Sequence, residues 1–133
     1  MILMKYKVSV KQKNLTTKEE VLLCDQIIEA EKNVHDFHFS FEEKKPYMGT
    51  VEIKGDDKGC TIYRNCENRS TLDFILKQKT KGLIESQYGI LEIGLYTRHY
   101  DQKEEMITLI YDVMHESHVV ESYRLSIKIR KVV

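Results

Sequence analysis

The sequence predicts an all-β domain, and three observations carry that prediction. Long segments alternate apolar and polar residues with a period of two, which is typical of strands that bury one face. Short turn segments separate them at regular spacing. The 133 residues include only one proline and six glycines, and they contain no linker or internal repeat. We therefore expect residues 1–133 to form a single domain.

The first half of the chain contains five clear strand segments. They are expected at residues 4–13, 34–42, 47–54, 60–65 and 70–77. In the first, Met4, Tyr6, Val8 and Val10 alternate with lysines and a serine. The second alternates around three phenylalanines. Each segment therefore has one face suited to a core and one suited to water.

Residues 17–31 fit two patterns. Thr17 and Glu20 have the spacing of a helix capping box. The apolar residues that follow, among them Val21, Cys24 and Ile28, have a helix-like spacing. A strand fits the surrounding meander equally well. We favour a strand over residues 21–31, and a short helix near residues 17–28 remains the alternative.

The second half contains four more strand segments, at residues 80–87, 90–99, 105–114 and 119–130. Antiparallel neighbours must place their apolar residues on the same face. This condition predicts that Ile93 lies opposite Val113 and Leu95 opposite Tyr111. A barrel suits many consecutive strands with one apolar face, because it buries that face and leaves no exposed edge strand. We expect one antiparallel meander β-barrel of about eight to ten strands, with an interior lined by Phe37, Phe39, Phe74, Leu91, Ile93, Leu95, Leu109, Tyr111, Val113, Leu125 and Ile127.

Composition narrows the classes of partner. Lys plus Arg and Asp plus Glu both number 21, so the formal net charge is zero. This balance argues against a nucleic-acid partner and against a polybasic membrane surface, although a local basic patch can be hidden in a neutral total. The apolar run at the N-terminus is too short for a signal peptide. Three cysteines without a CxxC motif suggest reduced thiols in the cytoplasm.

The C-terminal half resembles a known family. The similarity rests on the pattern Tyr63-Arg64, Leu72-Asp73-Phe74, Tyr88-Gly89, Leu91-Glu92-Ile93, Thr97-Arg98, Tyr111-Asp112 and Arg124. This pattern resembles the YwiB-like family, which are small bacterial proteins of unknown function. The resemblance implies a calycin-like (lipocalin-like) β-barrel. It assigns no catalytic or binding residue.

One polar set is a candidate ligand site. Arginine binds carboxylates and phosphates through its planar fork. Five polar residues are expected, together with Glu92, on the face of the strands that points away from the core: Arg64, Tyr96, Arg98, Asp112 and Arg124. If they converge, they form a site for an anionic ligand. The alternative is a solvated outer face with cross-strand ion pairs of little energetic weight. Of the two, the solvated face is favoured.

The sequence offers little other chemistry. His35 with His38 and His115 with His118 lie in expected turns, and exposed turn histidines are favoured there over a zinc site. The motifs GxSxG, GxGxxG and HExxH and the phosphate-binding loop do not occur. We therefore predict no catalytic residue, no metal and no cofactor.

These observations rank three functions. The first is a noncatalytic binding module that holds a small apolar or anionic ligand in the barrel. The second is a protein–protein interaction or scaffold domain with a filled barrel, acting as a homodimer or with another protein. The third is an enzyme that uses the Arg, Asp and Glu residues of the polar set.

Overall fold

The computed structural model describes residues 3–43 and 49–132. In this part of the chain ten antiparallel strands follow one another as a meander, and β1 pairs with β10 to close a barrel. The strands are β1 Met4–Asn14, β2 Glu20–Lys32, β3 Phe37–Glu43, β4 Gly49–Gly55, β5 Gly59–Asn65, β6 Arg69–Ile75, β7 Lys79–Ser86, β8 Gly89–Gln102, β9 Met106–His115 and β10 His118–Lys131. The all-β meander barrel predicted from the sequence is confirmed. Residues 47 and 48, which begin the segment expected at 47–54, lie outside the described residues.

The short helix near residues 17–28 does not form. The side-chain oxygen of Asn14 accepts hydrogen bonds from the amides of Thr16 and Thr17, and Lys18 has a positive φ of 69°. These contacts make a turn where the capping box would have begun. Strand β2 then has a bulge at Leu23, because Val10 pairs with Cys24 but Lys11 pairs with Leu22. One inserted residue changes an alternating pattern into a spacing of three, which explains the helix-like signal.

The predicted register of β8 with β9 is wrong by two residues. Leu95 lies opposite Val113, and Thr97 lies opposite Tyr111. A shift of two keeps every side chain on its own face, so the facing pattern cannot detect it. A bulge at Arg98 then turns Tyr100, rather than His99, toward the interior.

Most of the barrel interior is a packed core. The largest fully buried side chains belong to strands around the whole barrel, and they include Phe37, Phe74, Ile53, Leu95, Ile107, Leu109, Leu125, Ile127 and Ile129. Three phenylalanines of β3 lie in a row, with neighbouring ring centroids 6.3 Å and 6.2 Å apart. The predicted lining is therefore buried except at one end, where Leu91 is 59% exposed. The side chains in the rest of the interior form one buried hydrophobic cluster.

The barrel wall is incomplete at the end where Leu91 lies. Among the described residues β2 pairs with β3 at only three positions, Ala30 with Phe39, Glu31 with His38 and Lys32 with Phe37. Beyond them no further backbone pair joins the two strands among the described residues, and the side-chain amide of Gln26 bridges them by donating a 3.0 Å hydrogen bond to the carbonyl oxygen of Glu42. We call this end, where β5 ends at Asn65 and β8 begins at Gly89, the open end.

Candidate functional site

An ion pair lies inside the barrel near the open end. Arg64 Nη2 donates a 2.7 Å hydrogen bond to Glu43 Oε1. The Glu43 side chain is only 4% exposed, and the Arg64 side chain is 31% exposed. A buried ion pair is costly to desolvate and is weak evidence of a stabilising role.

Strand alternation places both charges on the inner face. In β3, the buried residues Phe37, Phe39 and Phe41 lead by steps of two to Glu43. In β5, Cys60 and Ile62 lead by the same steps to Arg64. Residues on one strand face recur every second position. The two charges therefore continue the buried rows of their strands toward the open end.

The pair leaves hydrogen-bonding capacity unused. Within residues 3–43 and 49–132, the buried atoms Glu43 Oε2 and Arg64 Nε have no hydrogen-bond partner. Buried polar atoms are nearly always paired with protein or with an ordered water. Here one buried acceptor and one buried donor lie on neighbouring side chains. A molecule with both a donor and an acceptor can satisfy the two together.

Two tyrosines lie beside the pair. The Phe74 and Tyr111 ring centroids are 4.6 Å apart, and those of Tyr111 and Tyr123 are 5.4 Å apart. The Tyr111 hydroxyl donates to Gln12 Oε1 at 3.3 Å, and the Tyr123 hydroxyl donates to Glu121. We call this set the polar cluster, and it consists of Gln12, Glu43, Arg64, Tyr111, Glu121 and Tyr123. Within it, Glu43 and Arg64 lie at the open-end side of the buried rows of β3 and β5.

Both phenols remain protonated at neutral pH. Burial raises the pKa of Tyr111 well above its usual range, with a further rise from Tyr123 and a partial offset from Arg64. Burial and the bond to Glu121 raise the pKa of Tyr123 to about 12. The tyrosines therefore act as hydrogen-bond donors and not as bases.

Accessible apolar side chains form a wall on the inner face of β6 to β9, toward the open end. The register places Ile84 opposite Leu91 and puts Leu72 and Ile93 on either side of Gly82, all on the inner face. Val113 continues this face on β9. Unlike the core, these side chains are partly or largely accessible: Leu72, Ile84, Leu91, Ile93 and Val113. The open end thus combines an accessible apolar wall with a polar base.

The buried thiols are poor nucleophiles. Burial raises the pKa of Cys24 to about 11 and that of Cys60 to about 12, so both stay protonated at neutral pH. In the described part of the chain, no three His, Cys, Asp or Glu side chains lie close enough together to hold a metal ion. Within the same residues there is no helix of the length and apolar character needed to cross a bilayer.

A second concavity lies toward the opposite end of the barrel. This groove of about 620 Å³ crosses β3 to β6, and its wall includes Lys54, Thr61 and Asp73. Thr61 Oγ1 donates a 2.6 Å hydrogen bond to Asp73 Oδ1. Asp73 and Glu43 each have one carboxylate oxygen paired within the protein. Asp73 is exposed, whereas Glu43 is buried and its second oxygen has no hydrogen-bond partner among the described residues. We therefore take the open end as the better candidate for a binding site.

Comparisons with known proteins place the chain in a family. A family model described as a domain of unknown function, DUF1934, matches residues 4–127. The chain belongs to the DUF1934 family. The crystal structure of the ywiB protein from Bacillus subtilis is similar to this DUF1934 protein, with a TM-score of 0.76 and 15% sequence identity over 98% of this chain and 94% of that one. No curated protein matches the sequence. The resemblance to the YwiB-like family is thus confirmed.

The five predicted site residues of this DUF1934 protein do not converge. Arg64 lies on the inner face, not on the outer face as expected. On the outer face, Tyr96 lies opposite Asp112, and Arg98 Nε donates to Asp112 Oδ1 at 3.0 Å. Arg124 lies opposite Ile110 and Lys13 and is exposed. The five residues therefore belong to three different surroundings.

Sequence reasoning missed Glu43, the partner of Arg64. The signal that could have found it is the phenylalanine row of β3, which reaches Glu43 after one more step of two. The same step in β5 reaches Arg64. A charge in the buried register is unusual, and two on nearby strands indicate an interior pair.

Proposed function

We propose that this protein is a noncatalytic binding protein that holds a small amphiphile at the open end of its barrel. The observation that carries the proposal is the buried, half-satisfied pair of Glu43 and Arg64 at the base of an accessible apolar wall. Binding sites typically combine mostly apolar walls with a few convergent polar groups. Buried reduced thiols such as Cys60 suit the cytoplasm, where we place the protein.

The charges of the polar cluster favour an uncharged head group. Arg64 carries one positive charge, whereas Glu43 and Glu121 carry two formal negative charges. A carboxylate head would gain Arg64 but would lie beside the Glu43 carboxylate, and Glu121 adds a further negative charge to the cluster. A hydroxyl, amide or amine N–H can donate to Glu43 Oε2, and a hydroxyl or amide oxygen can also accept from Arg64 Nε. A neutral head therefore fits this cluster better than the anionic ligand expected from the sequence.

Fluorescence titration tests the proposal directly. The protein has no tryptophan, so the signal of a bound naphthalene probe is easily resolved. N-phenyl-1-naphthylamine is apolar, neutral and carries one N–H donor. Anilinonaphthalene sulfonate is a similar probe with a negative charge. We expect saturable binding of the neutral probe, and affinity for the anionic probe at least about tenfold weaker. Equal or stronger binding of the anionic probe would contradict the head-group argument.

A matched pair of variants locates the binding. Leu91 faces inward and Ile90 faces outward, and they are 59% and 69% exposed, so neither substitution disturbs the core. Loss of the contact between Leu91 and the probe is worth about 1.5 kcal/mol. Leu91→Gln should therefore weaken binding about tenfold, whereas Ile90→Gln should leave it unchanged. Equal effects of the two variants would place the probe elsewhere.

A second candidate function is an interaction domain. Among the described pairings β8 meets β9 only from Gly94 onward, so residues 89–93 expose an unpaired strand edge. Tyr88 and Ile90 beside it are 90% and 69% exposed. Such an edge can accept a strand from another chain. A dimer that Ile90→Lys disrupts would support this function, and a monomer at high concentration would exclude self-association through the edge.

A further inference from the structure

The outer faces of β1 and β10 form a continuous cationic surface. Between residues 5 and 13 and between 122 and 130, every outward side chain is Lys, Arg or Ser. We call this surface the basic face, and its ten members are Lys5, Lys7, Ser9, Lys11, Lys13, Ser122, Arg124, Ser126, Lys128 and Arg130. Seven of the ten carry a positive charge. The neutral total charge of the chain thus conceals a strong separation of charge between faces.

The cations of the basic face are packed against one another. Lys7 lies directly opposite Arg130, and Lys13 lies directly opposite Arg124. Like charges at opposed positions destabilise a sheet. Among the described residues, the ion pair that these cations form is that of Arg130 with Glu105, at 3.6 Å. Such an arrangement costs stability, and it is explained if an anion binds there.

The acidic neighbours border the basic face without neutralising it. On β2, Glu20, Asp25 and Glu29 lie opposite Lys13, Ser9 and Lys5. Among the described residues, none of these three carboxylates forms an ion pair within 4.0 Å with a lysine of the basic face. The acids instead form an adjacent negative stripe. This stripe favours an anion that lies along β1 and β10 and not across them.

The dimensions and chemistry fit a polymer of phosphates. Outward side chains recur about every 6.8 Å along a strand, so residues 5–13 span about 27 Å, which exceeds the size of a small anion. A groove of about 410 Å³ runs within this surface, lined by Lys7, Ser9, Lys128 and Arg130 together with Glu105 and Met106. The hydroxyls of Ser9 and Ser126, which lie between the cations, supply further donors for phosphate oxygens.

We propose that the basic face binds the phosphate backbone of a nucleic acid strand without reading its sequence. The ten positions include no apolar side chain that could insert into a bilayer. The exposed apolar residues beside them, Leu22 and Ile27 on β2, alternate with Glu20, Asp25 and Glu29, and an anionic membrane surface would repel these carboxylates. The neutral total charge argues against a nucleic-acid partner only in the absence of a local basic patch, and the basic face is such a patch. This site is separate from the open end and does not depend on the amphiphile.

Fluorescence anisotropy with labelled oligo(dT) and oligo(U) of about 20 nucleotides tests the proposal. We expect a dissociation constant of about 1–100 µM near physiological salt, and similar affinity for both sequences. A strand that touches about five cations should give a slope of about −3.5 for the logarithm of the binding constant against that of salt concentration. Absence of binding at about 50 mM salt would overturn the proposal.

A charge-matched pair of double variants assigns the surface. Lys7→Gln with Lys128→Gln removes two central cations, and each phosphate contact is worth a factor of about five at 0.1 M salt. Affinity should fall about 25-fold. Lys58→Gln with Lys79→Gln removes the same charge from exposed positions elsewhere and should change affinity less than about threefold. Equal losses in the two variants would reduce the effect to total charge and refute the assignment.

Vesicles provide the remaining discrimination. Phosphatidylcholine vesicles that contain phosphatidylglycerol present a comparable negative surface. The proposal requires that oligonucleotides bind more tightly than these vesicles at the same salt concentration. Tighter binding to the vesicles, lost in the Lys7→Gln and Lys128→Gln variant, would replace the nucleic acid by a membrane surface.

Discussion

Removing one member of the interior pair should affect stability asymmetrically. In Arg64→Met, Glu43 retains its charge on a side chain that is 4% exposed and loses its partner at 2.7 Å. An uncompensated buried charge of this kind typically costs about 3–5 kcal/mol. In Glu43→Gln, the remaining arginine is 31% exposed and keeps part of its hydration, so we expect about 1–2 kcal/mol.

The double variant separates the pair from its surroundings. Glu43→Leu with Arg64→Met replaces both charges by apolar groups, and we expect stability within about 1 kcal/mol of the wild type. Arg124→Met removes the same charge from an exposed position and should cost less than about 0.5 kcal/mol. Urea denaturation followed by circular dichroism measures all four. A cost below about 1 kcal/mol for Arg64→Met would refute the account of a buried pair.

Three further perturbations test separate parts of the fold. Burial raises the pKa of the folded Cys60 thiol to about 12, whereas an unfolded thiol loses its proton above about pH 8.5. Between these two values the free energy of unfolding should fall by about 1.4 kcal/mol per pH unit, and urea titrations of Cys60→Ala should show a smaller fall. Arg98→Ala should cost only about 1–2 kcal/mol by urea denaturation, because Arg98 is 47% exposed and Asp112 keeps a second hydrogen bond. Gly59→Ala should cost about 3 kcal/mol, since its Cβ would lie 1.8 Å from a main-chain oxygen of β6, while Gly94→Ala, with a nearest contact of 3.3 Å, should cost clearly less. The first argument is contradicted if the free energy of unfolding of Cys60→Ala falls with pH as steeply as that of the wild type. The second is contradicted by a loss above about 3 kcal/mol in Arg98→Ala, and the third by equal losses in Gly59→Ala and Gly94→Ala.

The strands were predictable because half-buried strands leave a period of two in the sequence. Their observed bounds lie within three residues of the predicted ones. The largest differences are at the start of β3, which begins at Phe37 rather than at residue 34, and at the end of β8, which ends at Gln102 rather than at residue 99. The bulges were not predictable. A single inserted residue, such as Leu23 in β2 or Arg98 in β8, leaves no compositional signature. Each bulge nevertheless changes which residues face inward beyond it. The predicted inward or outward direction of side chains is therefore wrong near each bulge.

The polar cluster and the basic face were hidden for different reasons. A lone charge in a strand is normally assigned to water, and Glu43 and Arg64 reveal a pair only when β3, β4 and β5 are assembled. The basic face joins the first strand to the last, so its two halves lie more than a hundred residues apart in sequence. Closure of the barrel brings Lys7 opposite Arg130, and no local pattern contains that information.

Methyl NMR during titration with N-phenyl-1-naphthylamine tests the central claim most directly. The account predicts that chemical shift changes concentrate on the inward methyl groups of Leu72, Ile84, Leu91 and Ile93. The outward methyl groups of Ile90 should remain unchanged and serve as the internal control. Shifts confined to the outer surface, or an unchanged spectrum at millimolar probe, would contradict a binding site at the open end of the barrel.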